Sequence, residues 1–205
     1  MKMYRLEDEE TPQSGVDQLL NGLSSLDFGK KFLEKRSIFL WGAVMDDTAE
    51  KVVNRLIYLD MKEPGKPITF YINSPGGSVT AGMAILDTMK LISSPVKTVC
   101  MGLCASMASI LLSAGEKGSR MIMPHAEVMI HQPSIGGYFQ DKASNLEIHA
   151  IQIAKTKKIT AEILSKNCGQ PYEKVLADIE NDHWMDAQES LAYGIVDHIA
   201  EKLEY

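Results

Sequence analysis

The 205-residue sequence predicts an α/β domain built around a mostly parallel sheet. Three observations carry that expectation. Short apolar runs, bounded by turn residues, alternate with longer stretches of helical periodicity. Two of the strand-to-helix junctions, "SPGGS" and "CASMAS", are built almost wholly from small residues. Hydrophobic residues make up 45% of the chain, enough for one sizeable core, and no repeat, low-complexity tract or interdomain linker interrupts it.

In chain order, the opening "MKMYRLEDEETPQSG" is acidic and polar and contains a proline, which predicts a disordered or conditionally ordered end. Val16 to Lys35 carries a weak helical pattern broken by "SSLDFG". "SIFLWG" (37–42) reads as a buried strand. The next stretch, "DDTAEKVVNRLIYLDMKE", predicts a helix capped by Asp47 or Thr48, with Val52, Leu56 and Leu59 on one face. "PITFYIN" (67–73) is a strand, and the turn "SPGGS" leads from it into the helix "SVTAGMAILDTMKLIS". "KTVCMG" (97–102) is a strand and "ASMASILLSAG" a helix closed by Gly115. Two short strands, "SRMIMP" and "EVMIHQP", precede a Gly136-Gly137 loop. A long helical pattern runs from about Ala143 to Lys166, and shorter helices cover 171–181 and 187–193.

Charge and composition exclude several functions. A formal net charge of −6 argues against a nucleic-acid binder, which needs a basic face to displace counterions. The most basic stretch, "GKKFLEKR", has Lys30, Lys31, Lys35 and Arg36 broken up by Phe32, Leu33 and Glu34, and predicts only a short solvated patch. The N-terminus lacks the apolar centre of a secretory signal. Val99 to Ala114, the longest apolar stretch, is too short and too rich in Ser, Gly and Cys to span a bilayer. A cytoplasmic location with no membrane partner is the expectation. Cys100, Cys104 and Cys168 include no CxxC pair, so small core or surface roles are expected rather than disulfides or a zinc site.

The two small-residue junctions concentrate the chemistry. In a parallel sheet both lie at the carboxyl ends of strands, where active sites form. Pro75-Gly76-Gly77 lets the backbone turn its N–H groups toward a ligand, but it lacks the spacing of GxxxxGK[ST] and of GxGxxG, so no nucleotide site is expected. Ser106 stands at or beside the start of a helix, where free N–H groups and the helix dipole favour the anionic intermediates of acyl transfer. The plainer alternative is an N-capping serine. A nucleophilic serine requires a base. Among His125, His131, His149, His183 and His198, placement at a strand end just before Pro133 favours His131. For the orienting carboxylate, Asp182 and Asp186 both fall in "NDHWMDAQES". Asp186, with Glu189 three residues on, has the pattern of a capping box, which leaves Asp182 freer. Residue chemistry alone does not complete the choice.

"INSPGGSVTAGMAILDTM", "MGLCASMASILLSAGEKGSRMIMP", "VMIHQP" and "DHWMDAQESLAYGIVDHI" together resemble the ClpP family, the proteolytic subunits of the Clp protease, from about Ile38 to Ile199. The resemblance implies a ClpP/crotonase-like α/β fold of stacked β-β-α units with a projecting handle. Residues 37–205 would form a single peptidase domain after a divergent segment, 1–36. It implies a serine endopeptidase in which Ser106 is the nucleophile, His131 the general base and Asp182 the orienting carboxylate. Gly77 and Met107 would supply the N–H donors of the oxyanion hole. It implies no cofactor and no metal, with ATP hydrolysed by a partner: a hexameric AAA+ unfoldase of the ClpX or ClpA/ClpC type that feeds unfolded proteins into two stacked heptameric rings. The helix 143–166 and the glycine-rich segment before it would be the handle joining the rings. Tyr71, Leu91, Val99, Met101, Met121 and Met123 would match apolar docking pockets.

The sequence also departs from the family pattern. Its N-terminal segment is longer and acidic, and Thr69 stands where the docking strand often has an aromatic residue. The segment "HQPSIGGYFQDKASNLEIHA" is longer than usual in the handle loop, has "DKA" for "GQA", and carries Asn145 at a common aspartate position; Ala108 replaces a usual glycine. Two further classes therefore stand beside the peptidase. One is a non-catalytic or conditionally active ring subunit working beside an active paralogue. The other is an acyl-CoA enzyme of the crotonase type, which needs no serine nucleophile.

Overall fold

A seven-stranded sheet organises the chain in a computed structural model that describes residues 28–134 and 142–202. Contacts divide the chain into two units, Met1–Lys35 and Arg36–Tyr205. In the first, residues 28–34 form a short helix. The readings for residues 1–15, for most of the 16–35 pattern and for the Gly136-Gly137 loop fall outside the described residues.

In the second unit the strands are β1 (Ser37–Trp41), β2 (Ile68–Ser74), β3 (Val96–Ala105), β4 (Arg120–Ile122), β5 (Glu127–Ile130), β6 (His183–Met185) and β7 (His198–Ile199). The helices are α1 (Asp46–Lys62), α2 (Val79–Leu91), α3 (Met107–Ser113), α4 (Ala143–Cys168), α5 (Tyr172–Asp178) and α6 (Ala187–Tyr193). The main sheet runs β1-β2-β3-β4-β7, all parallel, with β5 also paired to β3 and β6 to β5. Among the described residues only β5–β6 is antiparallel. The expected α/β class with a mostly parallel sheet therefore holds.

β3 differs most from its sequence reading. The strand does not end at Gly102 but continues to Ala105, bent by a bulge. Opposite β2, Ile72 pairs Cys100 while Ser74 pairs Cys104, so β3 carries extra residues between these pairs. Gly102 takes up the turn at φ 74°, and Asn73 Oδ1 accepts the Leu103 N–H at 3.2 Å, sewing the bulge shut. The bend forks the strand. Its first half pairs β4 through Thr98–Cys100, and its second half pairs β5 through Leu103–Ala105. β6 and β7 escaped the sequence reading because runs of three and two residues carry no period-2 signal.

The helices pack by the faces their sequences mark. α1 buries Ala49, Val52, Leu56 and Leu59. It begins at Asp46, with Met45 rather than Asp47 or Thr48 at the N-cap position. Thr48 still serves the cap from within the first turn, since its Oγ1 accepts the Met45 N–H at 2.9 Å. Ser78 caps α2 by accepting the Ala81 N–H, at 3.3 Å. α4 buries only Thr160, Ala161, Leu164 and Cys168, all in its second half. Its first half leaves Leu146, Ile148 and Ile151 exposed, and Gly169 ends it in the left-handed region.

Two further readings need correction. Gly115 does not close α3 by a left-handed turn. Ala114 caps that helix, and Gly115 is glycine because an added Cβ would lie 2.3 Å from Thr98 Oγ1. Arg36 is not part of a solvated patch: its guanidinium donates to the carbonyls of Leu59, Lys66 and Pro67 at 2.8–3.0 Å. Arg120 is 1% exposed in the core. It forms a two-pronged pair with Asp197 at 2.8 and 2.6 Å and spends its remaining donor on the Ser113 and Asn167 carbonyls. The three cysteines are free and buried, as expected of core residues.

Burial alone would raise the Asp197 carboxyl, but Arg120 and the N–H groups of Arg120 and Gly118 hold it well below the usual carboxylate range. A depressed folded pKa stabilises above the unfolded pKa, about 3.9, and the gain is lost as pH falls toward the folded value. Asp197→Asn leaves Arg120 buried without its counter-charge, and should cost about 3 kcal/mol at pH 7. In urea unfolding the gap between wild type and variant should narrow as pH drops below about 4.

Candidate active site

The bulge in β3 delivers Ser106 to the carboxyl end of the sheet, one residue beyond the strand and one before α3. Ser106 sits at φ 55° and ψ −124°, in a region that costs a non-glycine residue about 1–3 kcal/mol. Three bonds hold it there. Its N–H donates to Met129 O on β5 at 2.9 Å, and its carbonyl accepts the Ser109 N–H at 3.0 Å and the Ser109 hydroxyl at 2.6 Å. Ser106 Oγ makes no capping bond to α3, so the capping alternative fails and the hydroxyl is turned outward.

His131 follows β5 directly, and Asp182 precedes β6 directly. Antiparallel pairing sets Ile130 opposite His183, which brings His131 and Asp182 side by side just beyond that pair. His131 Nε2 lies 2.9 Å from Ser106 Oγ, and its Nδ1 lies 3.1 Å from Asp182 Oδ1. With the Nδ1 proton directed at the carboxylate, Nε2 is free to accept from the serine hydroxyl. Asp182 is not at a helix end, as its sequence context suggested: α5 stops at Asp178, and the intervening loop carries the carboxylate. Asp186 forms the capping box, accepting the Glu189 N–H at 2.8 Å while its own N–H donates to Glu189 Oε2 at 2.9 Å.

The other described histidines lie elsewhere. His125 and His149 are exposed, His183 packs at a tilt on the Tyr193 ring, and His198 Nε2 is 3.1 Å from Gly118 O.

Gly76 and Gly77 border the serine. A Cβ on Gly76 would lie 2.6 Å from Ser106 Cβ and 2.9 Å from Met107 N, and the backbone there has φ 88°. Gly77 forms a parallel bridge with Val44, in which Val44 N–H donates to Gly76 O and Ser78 N–H to Val44 O, both at 2.8 Å. In that pattern the flanking residues make the bonds, so the Gly77 N–H is directed away from Val44. Met107 opens α3, and its N–H has no carbonyl a turn earlier to meet. The Met107 side chain is core: it fills the space over Gly82, where a Cβ would lie 2.2 Å from Met107 Cγ.

Of the six positions linked to docking, Tyr71 and Val99 are buried in the sheet, Met101, Met121 and Met123 are half-buried, and Leu91 is exposed. Among the described residues no cluster of three or more His, Cys, Asp or Glu has metal-binding geometry, and no helix is long and apolar enough to cross a membrane.

A serine, an imidazole and a carboxylate in one hydrogen-bonded row, at the carboxyl ends of parallel strands, have the layout of a serine-hydrolase site. The family model described as Clp protease matches residues 21–203, and the chain belongs to that family. The match begins ahead of Ile38, inside the segment that the motifs left unassigned. Membership makes the chain a Clp-type peptidase subunit and implies an oligomer that works with an unfoldase.

Gly76→Ala should be destabilising by about 1–3 kcal/mol, because a side chain there both strains φ and pushes on Ser106. A lowered thermal midpoint, accompanied by loss of Ser106 reactivity, is the expected outcome.

Proposed function

We propose that the chain is a serine endopeptidase subunit that cuts unfolded proteins into short peptides. The observation that carries this reading is the continuous contact Ser106–His131–Asp182, with both links at hydrogen-bond distance. His131 Nε2 takes the Ser106 proton as Oγ attacks the peptide carbonyl. Asp182 stabilises the imidazolium and holds its ring orientation. The Gly77 and Met107 N–H groups receive the oxyanion, a role worth about 10²–10³ in rate for each donor. The imidazolium then protonates the leaving amine, and water, activated by His131, hydrolyses the acyl-enzyme.

The chain's own chemistry needs no cofactor in this reading. ATP is hydrolysed by a hexameric AAA+ unfoldase seated on two stacked heptameric rings of this subunit, in the cytoplasm. The exposed apolar first half of α4, with Leu146, Ile148 and Ile151, suits the ring-joining handle.

Intact-mass analysis after fluorophosphonate treatment tests the chemistry. One adduct per wild-type chain is expected, and none on Ser106→Ala. Asp182→Asn should slow labelling on the order of 10³-fold or more, since the imidazole loses its anionic partner. A folded wild-type chain that takes no label would favour a subunit active only beside a paralogue or unfoldase.

A further inference from the structure

Asp182 is 60% exposed at its side chain, and its placement depends on the short loop 179–182 between α5 and β6. Two elements hold that loop. From one side Gln132, the residue after His131, donates its N–H to Ile179 O at 2.7 Å and its Nε2 to Glu180 O at 2.9 Å. From the other, Lys157 Nζ of α4 reaches Glu180 Oε2 at 2.7 Å. Lys157 is half-buried at this contact, whereas Lys155 and Lys158 on the same helix are exposed. The Lys157 ammonium, with the Gln132 amide beside it, keeps the Glu180 carboxyl below its ordinary range.

We propose that Lys157 and Glu180 are positioning residues: their ion pair ties the long helix α4 to the loop that carries Asp182 and sets that carboxylate against His131. The proposal rests on reading Ser106, His131 and Asp182 as the reacting groups. An ion pair this open to solvent adds little to global stability. Its influence is geometric, because Glu180 lies two residues from Asp182 and a misplacement of about 1 Å in a reacting constellation costs up to about 10²-fold in rate. Gln132 sets the loop relative to the His131 strand, and Lys157 sets it relative to the helix.

The test uses the full chain carrying Lys157→Met, Glu180→Gln, Lys157→Arg, or the exchange Lys157→Glu with Glu180→Lys. Four quantities are read: the fluorophosphonate labelling rate, kcat and KM on a short peptide, the thermal midpoint and the native mass. Each neutralising variant should lower labelling and kcat about three- to tenfold, with KM, midpoint and native mass unchanged. Lys157→Arg and the charge exchange should return both rates to within about twofold of wild type, because either restores the pair. Wild-type rates in both neutralising variants would overturn the proposal. So would a loss that neither the arginine variant nor the exchange recovers, or one that tracks a change in native mass. A wild-type chain that takes no label either alone or with an unfoldase or paralogue present would instead remove the underlying reading, and the proposal with it.

Discussion

The bend in β3 is the constraint on which the site depends. A straight strand could pair along its whole length with β4 and would leave β5 without a partner. The extra residues between Cys100 and Cys104 turn the second half of the strand away, toward Glu127–Met129. That turn places Met129 O where it receives the Ser106 N–H. It also places His131, two residues later, within reach of the serine hydroxyl. β5 in turn recruits β6, and with it Asp182. One local irregularity thus sets the positions of three side chains drawn from distant parts of the chain.

Rigidity is distributed unevenly around that bend. At the end of α3 opposite Ser106, Arg120 is fully desolvated, and its donors are spent on Asp197 and on carbonyls from α3 and α4. Ser106 itself is held in a strained backbone conformation by hydrogen bonds from two elements and by close packing against Gly76. Outward from Ser106 the restraint weakens. His131 is a quarter exposed and Asp182 more than half. Ser106 is therefore fixed by the core, while Asp182 depends on a solvent-facing loop and on whatever holds that loop.

Much of the fold was legible in the sequence because it rests on local pattern. The α1 stripe of Val52, Leu56 and Leu59 and the capping box of Asp186 with Glu189 both depend on residues a few positions apart. Ser106 and His131 could be picked out because junctions at strand ends are visible as changes of period. What stayed hidden depends on distant partners. The β3 bulge is not visible locally, since Gly102 reads equally well as a strand terminus. The backbone angle of Ser106 has no glycine to announce it. Arg36 reads as a surface charge until the carbonyls that accept from it come into place. The Lys157 contact with Glu180 spans 23 residues and leaves no periodic trace.

The order in which the site's parts occur along the chain also matters for how the protein matures. Ser106 and His131 are 25 residues apart, but Asp182 lies a further 51 residues on, beyond the whole of α4 and α5. During synthesis the serine and histidine leave the ribosome first, while β6, the strand that follows Asp182, cannot pair with β5 until the long helix has folded back. Such non-local pairing is among the slow steps of folding, because loop closure must precede the contacts that reward it. Assembly of the full constellation therefore coincides with completion of the fold. A nascent or truncated chain that ends before Asp182 has Ser106 and His131 but lacks the carboxylate that meets the His131 ring.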